Sequence, residues 1–292
     1  MPPKILIMGS GGQLGWECQR TFQSLGVVKC VDYPNIDLKN PVEVKNIILD
    51  YSPNVIVNAA AFTAVDKAEN ESEVAFKVNA DAPAVMAESA KKINAVFVHF
   101  STDYVFDGSK NLPYTEKDIP NPINIYGKSK LIGENNIIEI GGLYLIFRTS
   151  WVYSLRANSF VKKVLDWSHS QEVVNVVTDQ VGSPTWARSL AEMTTQVICN
   201  SQWSTEWFKE HKGLFHLAGC GAVSRFDFAK AIIALDNEKE KQVLKKLIES
   251  KTSDFPTPAA RPLYSALDCS LFISKFNLYP PFWLDTLKLA LG

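Results

Sequence analysis

The first half of the chain alternates short apolar runs with longer amphipathic patterns. The apolar runs predict buried strands at 4–8, 27–31, 54–57, 95–100 and 143–147. The segments between them carry apolar residues at helical spacing, which predicts helices at 41–51, 81–92 and 126–140. Strands that alternate with helices in this way favour a doubly wound parallel sheet of the Rossmann type, an α/β fold.

The regular alternation ends after residue 148. We predict a dinucleotide-binding domain over 1–150, to which a helix at 185–199 and a strand at 214–218 return. The segments 151–184 and 222–292 then form a smaller, discontinuous α/β lobe, with a Glu/Lys-rich helix expected over 236–250. A cleft between two lobes is a common place for a second ligand to bind.

A glycine-rich turn follows the first strand directly. Gly9, Gly12 and Gly15 have the spacing G-x-x-G-x-x-G, between a predicted strand and a predicted helix. Such a turn lets a pyrophosphate approach backbone N–H groups at a helix N-terminus. Asp32 ends the second strand, where a carboxylate meets the adenosine ribose of a dinucleotide. A glycine loop that binds no cofactor is the alternative.

Three polar residues suggest proton chemistry. Thr102 follows the strand at 95–100, and Tyr126 and Lys130 are four residues apart, on one face of the helix predicted at 126–140. A positive charge beside a phenol lowers its pKa toward neutral pH, so we expect Lys130 to lower the pKa of Tyr126. A surface tyrosine packed against a lysine side chain is the alternative, because a Tyr-x-x-x-Lys spacing occurs often by chance.

Composition narrows the class of partner. The 292 residues have a formal net charge of −1 and contain no long Lys/Arg run, so nothing favours binding to nucleic acid or to an anionic membrane surface. The apolar run near the N-terminus is too short for a signal peptide or a membrane span, so we expect a cytoplasmic protein. The scattered cysteines show no metal-ligand spacing. A small-molecule substrate and a possible homodimer are expected.

With these residues in place, the chain resembles the extended short-chain dehydrogenase/reductase family. It is most similar to the members that reduce dTDP-linked 4-keto-6-deoxy sugars. The matching fragments follow one another along nearly the whole chain: GSGGQLGWE, PNVIVNAAAFTAVDKAE, STDYVFDG, NPINIYGKSKLIGE, FRTSWVY, TDQVGSPT, FHLAG and FPTPAARPLYSAL. The resemblance implies hydride transfer from NADPH or NADH to the C4 ketone of dTDP-4-dehydro-6-deoxy-L-mannose, which gives dTDP-L-rhamnose.

The resemblance also assigns site residues. It implies that Tyr126 is the acid, that Thr102 binds the reacting oxygen, and that Lys130 binds the nicotinamide ribose. It places the cofactor on Gly9, Gly12, Gln13, Leu14, Gly15, Asp32, Asp37, Leu38, Ala59, Ala60, Ala61, Tyr126 and Lys130. It places the nucleotide sugar on Thr102, Asp103, Trp151, Asn158, Gly182, Thr185 and Arg261. Trp151 as a core aromatic residue and Arg261 as an exposed charge are the alternatives.

Several alternatives remain open at this point. Asp32 favours NADH, although members of the family accept either cofactor. Glu17 matches a position at which some relatives bind a metal between subunits, but no full ligand set is present, and we predict no metal. A nucleotide-sugar 4,6-dehydratase is disfavoured, because Tyr104 follows Asp103 where elimination needs a glutamate. An epimerase, or a non-catalytic subunit like the regulatory β subunit of methionine adenosyltransferase, would keep the same Thr, Tyr and Lys.

Overall fold

The computed structural model describes residues 1–156 and 158–292, and it confirms the predicted doubly wound α/β fold. Six parallel strands form the main sheet in the order β10-β5-β4-β3-β1-β2. All strands of the described residues, including the short pairs outside the main sheet, are β1 (Lys4–Met8), β2 (Val27–Val31), β3 (Val55–Asn58), β4 (Val96–Thr102), β5 (Leu143–Thr149), β6 (Val152–Tyr153), β7 (Val173–Val177), β8 (Val181–Gly182), β9 (Thr185–Trp186), β10 (Gly213–His216), β11 (Val223–Ser224) and β12 (Lys246–Ser250).

Helices connect these strands and cover both faces of the sheet. They are α1 (Gln13–Phe22), α2 (Pro41–Tyr51), α3 (Val65–Asn70), α4 (Ser72–Phe76), a π-helical turn (Lys77–Asp81), α5 (Ala82–Lys92), α6 (Ile125–Ile140), α7 (Phe160–Ser170), α8 (Ala187–Asn200), α9 (Thr205–His211), α10 (Arg225–Ala234), α11 (Ser270–Phe276) and α12 (Trp283–Leu291). Short 3₁₀ turns lie at Asp103–Val105, Lys239–Lys241 and Thr252–Asp254. Within the described ranges, no helix has the length and apolar character needed to cross a bilayer.

Alternate side chains of each central strand enter different cores, as expected for a sheet buried on both faces. Ile5 and Ile7 pack with α1 and α8, whereas Leu6 and Met8 pack with α2 and α5. The strand order reverses at β1, which has β2 on one side and β3 on the other. The carboxyl ends of β1 and β3 therefore border the crevice where open α/β sheets bind ligands.

Two later segments join the main sheet. β10 pairs in parallel with β5, and α8 buries Leu190 and Val197 in the core shared with α1. α11, which the sequence analysis placed in the smaller lobe, also packs here through Phe272 and Phe276. The chain thus returns to the main sheet twice after residue 185.

The smaller lobe has its own core. α7, α10 and α12 pack together around Phe228, with β7 beside them. The helix predicted over 236–250 is wrong. Lys246–Ser250 is a strand, β12, that pairs in parallel with β7, and only a short 3₁₀ turn precedes it at Lys239–Lys241. The β-branched run of β7 supplies a pairing partner, and this tertiary contact overrides the helix propensity of a Glu/Lys-rich segment.

Candidate active site

The glycine-rich turn is shaped by close backbone contacts. Gly9 has φ +78°, and a Cβ atom there would lie 2.7 Å from the Cα of Ala60. A Cβ atom on Gly15 would lie 2.0 Å from the carbonyl oxygen of Gly9, so Gly15 lets α1 pack against the turn. Gly12 caps α1 without a side-chain hydrogen bond, which leaves the first N–H groups of the helix open to an anion.

A cavity of about 560 Å³ opens beside this turn and reaches the carboxyl end of β4. Most of the predicted site residues line this one cavity. They are Gly9, Gly12, Gln13, Leu14, Asp32, Ala59, Ala60, Ala61, Thr102, Asp103, Tyr126, Lys130, Trp151 and Asn158. The structure therefore brings the predicted cofactor residues and the predicted catalytic residues into one continuous space.

Six predicted site residues lie outside the lining of this cavity: Gly15, Asp37, Leu38, Gly182, Thr185 and Arg261. Asp37 is partly exposed and forms an ion pair with Lys39, at 3.3 Å between Oδ2 and Nζ. Leu38 packs against the core between the sheet and α2. Asp37 and Leu38 therefore form no part of the wall of this cavity.

Gly182 and Thr185 lie behind Trp151, which lines the cavity. A Cβ atom on Gly182 would lie 2.4 Å from the indole ring of Trp151, so glycine makes room for that ring. Thr185 is buried; its hydroxyl accepts a hydrogen bond from the Gly219 N–H at 3.0 Å and donates one to the Ser183 carbonyl oxygen at 3.0 Å. Both residues therefore support the cavity wall indirectly.

Tyr126 is partly buried and lies beside Thr102. Burial raises the pKa of the Tyr126 phenol, whereas a hydrogen bond with Thr102 lowers this pKa by a smaller amount. The expectation that Lys130 lowers the phenol pKa is wrong for the chain alone, because burial is the largest influence and Lys130 is not among the causes of the shift. A raised pKa keeps the phenol protonated at neutral pH, which suits a residue that must donate a proton.

Lys130 is almost completely buried, at 1% exposure. Its Nζ donates a hydrogen bond to the Phe100 carbonyl oxygen at 2.7 Å and lies 3.1 Å from Nε2 of His99. Burial lowers the pKa of Lys130 to about 8, although the negative charge of Glu134 raises it. The amine can therefore change its charge close to physiological pH.

Asp103 joins three segments at the edge of the cavity. Its carboxylate accepts hydrogen bonds from the hydroxyls of Thr102 at 3.1 Å, Ser150 at 3.0 Å and Ser265 at 2.5 Å. Burial raises the pKa of Asp103. The sequence analysis gave no role to Ser150 or Ser265, although both lie in fragments that it singled out, FRTSWVY and ARPLYSAL. Asp103 thus positions Thr102 and ties the end of β4 to the tail of the chain.

The sequence analysis also missed Arg225, the first residue of α10. Its guanidinium carbon lies 3.4 Å from the ring centroid of Trp151 and 4.7 Å from that of Phe160. Trp151 lines the first cavity with φ +44°, an unusual backbone conformation for a bulky residue. Arg225 and Phe160 line a second cavity of about 550 Å³ that also includes Arg261. Trp151 and Arg225 therefore lie where the two cavities adjoin.

Arg261 is part of the second cavity and is held by an acidic partner. Its Nη2 donates to Oδ2 of Asp66 at 2.7 Å, and its Nη1 donates to the hydroxyl of Thr257 at 2.5 Å. The interaction with Asp66 raises the pKa of the guanidinium against the effect of burial. The side chain is mostly buried, so the alternative of an exposed charge does not hold.

The residues of the first cavity fit a nicotinamide dinucleotide. In addition to the glycine turn, three buried polar atoms at the cavity have no hydrogen-bond partner among the residues that the structure describes: Oε1 of Gln13, Oγ of Ser101 and Oγ1 of Thr149. An unpaired buried polar atom costs about 1–3 kcal/mol, so such atoms suggest groups that a ligand completes. The ribose hydroxyls and the carboxamide of such a cofactor offer partners of the right kind.

Glu17, the position considered for a metal, lies on α1. Its carboxylate accepts a hydrogen bond from Nη1 of Arg20 at 3.2 Å, and burial raises its pKa. Across residues 1–156 and 158–292, no three His, Cys, Asp or Glu side chains are grouped so that they could hold a metal ion.

The fold and the site together define a class of protein. The Rossmann sheet has a glycine turn at its switch point, and Thr102, Tyr126 and Lys130 line one cavity near the end of β4. These features are those of a dinucleotide-dependent oxidoreductase of the short-chain dehydrogenase/reductase class. The chain belongs to the family described as the RmlD substrate binding domain, whose model matches residues 3–292.

Curated relatives and solved structures agree with this family. The dTDP-4-dehydrorhamnose reductase of Burkholderia thailandensis is 38% identical over 96% of this chain and 95% of its own length. The Escherichia coli protein of the same name is 38% identical over 99% of this chain and 97% of its own. A crystal structure of a dTDP-4-dehydrorhamnose reductase from Clostridium acetobutylicum superposes with a TM-score of 0.90 at 37% identity, covering 98% of both chains.

A further solved structure holds a cofactor. The dTDP-4-dehydrorhamnose reductase from Bacillus anthracis, crystallised in complex with NADP, has a TM-score of 0.89 and 33% identity over 99% of both chains. UDP-glucose 4-epimerases share the fold at 19% identity or less.

Proposed function

We propose that this chain is a dTDP-4-dehydrorhamnose reductase, which uses NADPH or NADH to reduce the C4 ketone of dTDP-4-dehydro-6-deoxy-L-mannose to dTDP-L-rhamnose. The observation that carries the proposal is the single cavity in which the glycine turn and the Thr102, Tyr126 and Lys130 side chains face one another. The full-length relatives of that name support the choice of substrate.

The proposed chemistry follows from the protonated state of Tyr126. A bound reduced nicotinamide supplies the hydride. As C4 gains hydride its oxygen becomes basic, and Tyr126 donates its phenolic proton to that oxygen. The Thr102 hydroxyl, which donates to Asp103 at 3.1 Å in the chain alone, donates to the same oxygen when the substrate is bound and stabilises its developing charge. Lys130 in its ammonium form stabilises the phenolate that remains until Tyr126 takes up a proton again.

The nucleotide part of the substrate belongs in the second cavity under this proposal. A diphosphate lies between the sugar and the nucleoside, and Arg225 lies between the two cavities, with no carboxylate in an ion pair with it among the residues described. Guanidinium groups bind phosphate oxygens through paired hydrogen bonds. Arg225 therefore binds the diphosphate, together with Arg261 across the cavity, and the aromatic and aliphatic wall around Phe160 and Trp167 receives the base.

The adenosine end of the cofactor lies near Asp32. One carboxylate oxygen accepts the Gly11 N–H at 2.6 Å and the other accepts the Tyr33 N–H at 2.8 Å. These bonds hold the carboxylate at the cavity wall, where it can accept a ribose hydroxyl and would repel a 2′-phosphate. The proposal nevertheless includes NADPH, because the Bacillus anthracis relative was solved with NADP.

The proposal also includes the cellular location, the class of ligand and the oligomeric state. The near-neutral charge supports a small-molecule substrate and no nucleic-acid partner. We place the enzyme in the cytoplasm and propose that it can form a homodimer. Light scattering of the purified protein tests the dimer, and a single species of about 32.5 kDa would contradict it.

Loss of nicotinamide absorbance tests the function. The purified chain is given NADPH or NADH together with the 4-keto sugar nucleotide made from dTDP-glucose by an upstream dehydratase and epimerase. Stoichiometric cofactor consumption with formation of dTDP-L-rhamnose is expected. UDP-glucose serves as the control substrate for epimerase activity. Binding of cofactor without consumption would favour a regulatory subunit, and interconversion of UDP-sugars would favour an epimerase.

A further inference from the structure

A row of three buried polar side chains runs beneath the first cavity. Nδ2 of Asn58 lies 3.0 Å from Nδ1 of His99, and Nε2 of the same ring lies 3.1 Å from Nζ of Lys130. All three residues are at most 1% exposed. His99 lies on β4 three residues before Thr102, and its ring faces α6. The proposed reaction gives His99 no role.

The hydrogen-bond partners of Asn58 orient its amide. Its Oδ1 accepts the Ala60 N–H at 3.2 Å, which leaves Nδ2, a donor, facing Nδ1 of His99. Nδ1 must then accept, so a neutral ring carries its proton on Nε2. That proton points at Lys130. An ammonium has only N–H donors, so two donors would oppose each other, whereas a neutral amine can accept the bond with its lone pair.

The opposite arrangement needs a rotation of the Asn58 amide and a move of the ring proton from Nε2 to Nδ1. Oδ1 of Asn58 then accepts a hydrogen bond from the Nδ1–H of His99, and the bare Nε2 accepts a hydrogen bond from the Lys130 ammonium. The rotation separates the Ala60 N–H from its acceptor, at a cost of about 1 kcal/mol. Each charge state of Lys130 is therefore satisfied by a different tautomer of His99.

We propose that His99 is a positioning residue whose neutral ring changes tautomer as Lys130 gains or loses its proton, so that Asn58 and His99 set the charge that Lys130 presents to the cavity. The exchange of tautomer is a property of the chain alone. Only its effect on the reaction rests on the function proposed above.

The groups around His99 and Lys130 allow Lys130 to be either charged or neutral while His99 stays neutral. Burial and the charge of Lys130 hold the pKa of His99 well below its usual range, so the ring stays neutral. Lys130 has the Phe100 carbonyl oxygen on one side and the charge of Glu134 one helical turn away, and Glu134 itself is paired with Arg148 at 2.6 Å. Phe97 packs on the His99 ring at 5.9 Å between centroids and carries no charge. Of His99 and Lys130, only Lys130 therefore gains or loses a proton near neutral pH.

Nitrogen NMR of the cofactor-free protein tests the proposal directly. Long-range ¹H–¹⁵N spectra distinguish Nδ1–H, Nε2–H and imidazolium forms, and the chain has only four histidines. His99 is assigned from the signal that disappears in His99→Gln. We expect a neutral ring that carries Nδ1–H at about pH 6 and Nε2–H at about pH 10. In Lys130→Met the tautomer should not change with pH. A single tautomer throughout, an imidazolium, or a change that persists in Lys130→Met would overturn the proposal.

A double-mutant comparison tests the effect on Lys130. In Asn58→Asp the carboxylate can only accept, so it fixes Nδ1–H and holds Lys130 as the ammonium. The pH at which NADPH affinity, measured by fluorescence, changes should rise by about one unit. The same substitution in a His99→Gln background should give no such rise. An equal rise in both backgrounds would mean that the added charge acts directly, without His99, and would contradict the proposal.

Two controls separate this role from a structural one and from the proposed function. Phe97→Leu alters the same face of β4 beside His99, and it should lower the melting temperature without moving the pH dependence. Both the NMR and the NADPH titration proceed without a sugar substrate. If the tautomer exchange is seen but no 4-keto sugar is reduced, the proposed function fails and this inference stands.

Discussion

Replacement of Tyr126 by phenylalanine removes the proposed acid and little else. The ring stays in edge-to-face contact with Tyr104, at 5.8 Å between centroids, and Thr102 keeps its hydrogen bond to Asp103. The variant loses the hydrogen bond between the phenol and Thr102, worth about 1 kcal/mol of folding stability. Loss of general acid catalysis costs a factor of about 10² to 10⁴ in turnover, which corresponds to about 3–5 kcal/mol of activation free energy.

The assay measures kcat by absorbance and the NADPH dissociation constant by fluorescence. We expect kcat to fall by at least about 10²-fold while the dissociation constant changes less than about threefold. Tyr104→Phe is the matched control, because it deletes a neighbouring, partly buried phenol and should retain most of the activity. Turnover of Tyr126→Phe within about tenfold of wild type would refute the assignment. So would equal losses in the two variants.

Three further substitutions test other parts of the site. Gly15→Ala should lower the melting temperature by several degrees, because the added Cβ would lie 2.0 Å from a carbonyl oxygen. Gly12→Ala should fold normally and bind NADPH more weakly, because the atom nearest to its added Cβ is 3.4 Å away. Calorimetry measures the stability of the two variants and fluorescence their NADPH affinity, and equal stability of the two would contradict the prediction. Arg225→Gln should raise KM for the nucleotide sugar about 10- to 100-fold at nearly constant kcat, as expected for one charged hydrogen-bonding group; an unchanged KM would remove Arg225 from the diphosphate site. Lys130 titrates at about 8 in the fold and at about 10.4 in an unfolded chain, so the unfolded state binds more protons between these values and stability should rise with pH there, by an amount on the order of 3 kcal/mol. Denaturant unfolding should show this rise in wild type and not in Lys130→Met, and parallel curves would contradict the burial of the amine.

The main sheet could be predicted from sequence because each strand is an uninterrupted apolar run. The run at 27–31 and the pattern at 41–51 match β2 and α2 in their bounds. The segment 236–250 carries helix-favouring residues, and only the pairing of its last five residues with β7, some seventy residues away, makes those five residues a strand. Pairing over that separation leaves no trace in local periodicity.

In the candidate site, too, features set by local sequence could be predicted and features set by distant contacts could not. The glycine spacing and the Tyr-x-x-x-Lys spacing are local, and most residues chosen from them line the cavity. The pKa of Tyr126 depends on burial, which a spacing does not report, so the expected direction was wrong. Arg225 was missed because its significance comes from the ring of Trp151, a residue far away in sequence. The partner of Arg261, Asp66, is likewise distant in sequence.

Transfer of deuterium tests the central claim most directly. The chain is incubated with NADPH deuterated at C4 of the nicotinamide and with the 4-keto sugar nucleotide, and the product is analysed by mass spectrometry and NMR. A reductase gives dTDP-L-rhamnose with one deuterium on C4 of the sugar. Recovery of unlabelled sugar, with the deuterated cofactor bound but intact, would contradict the account.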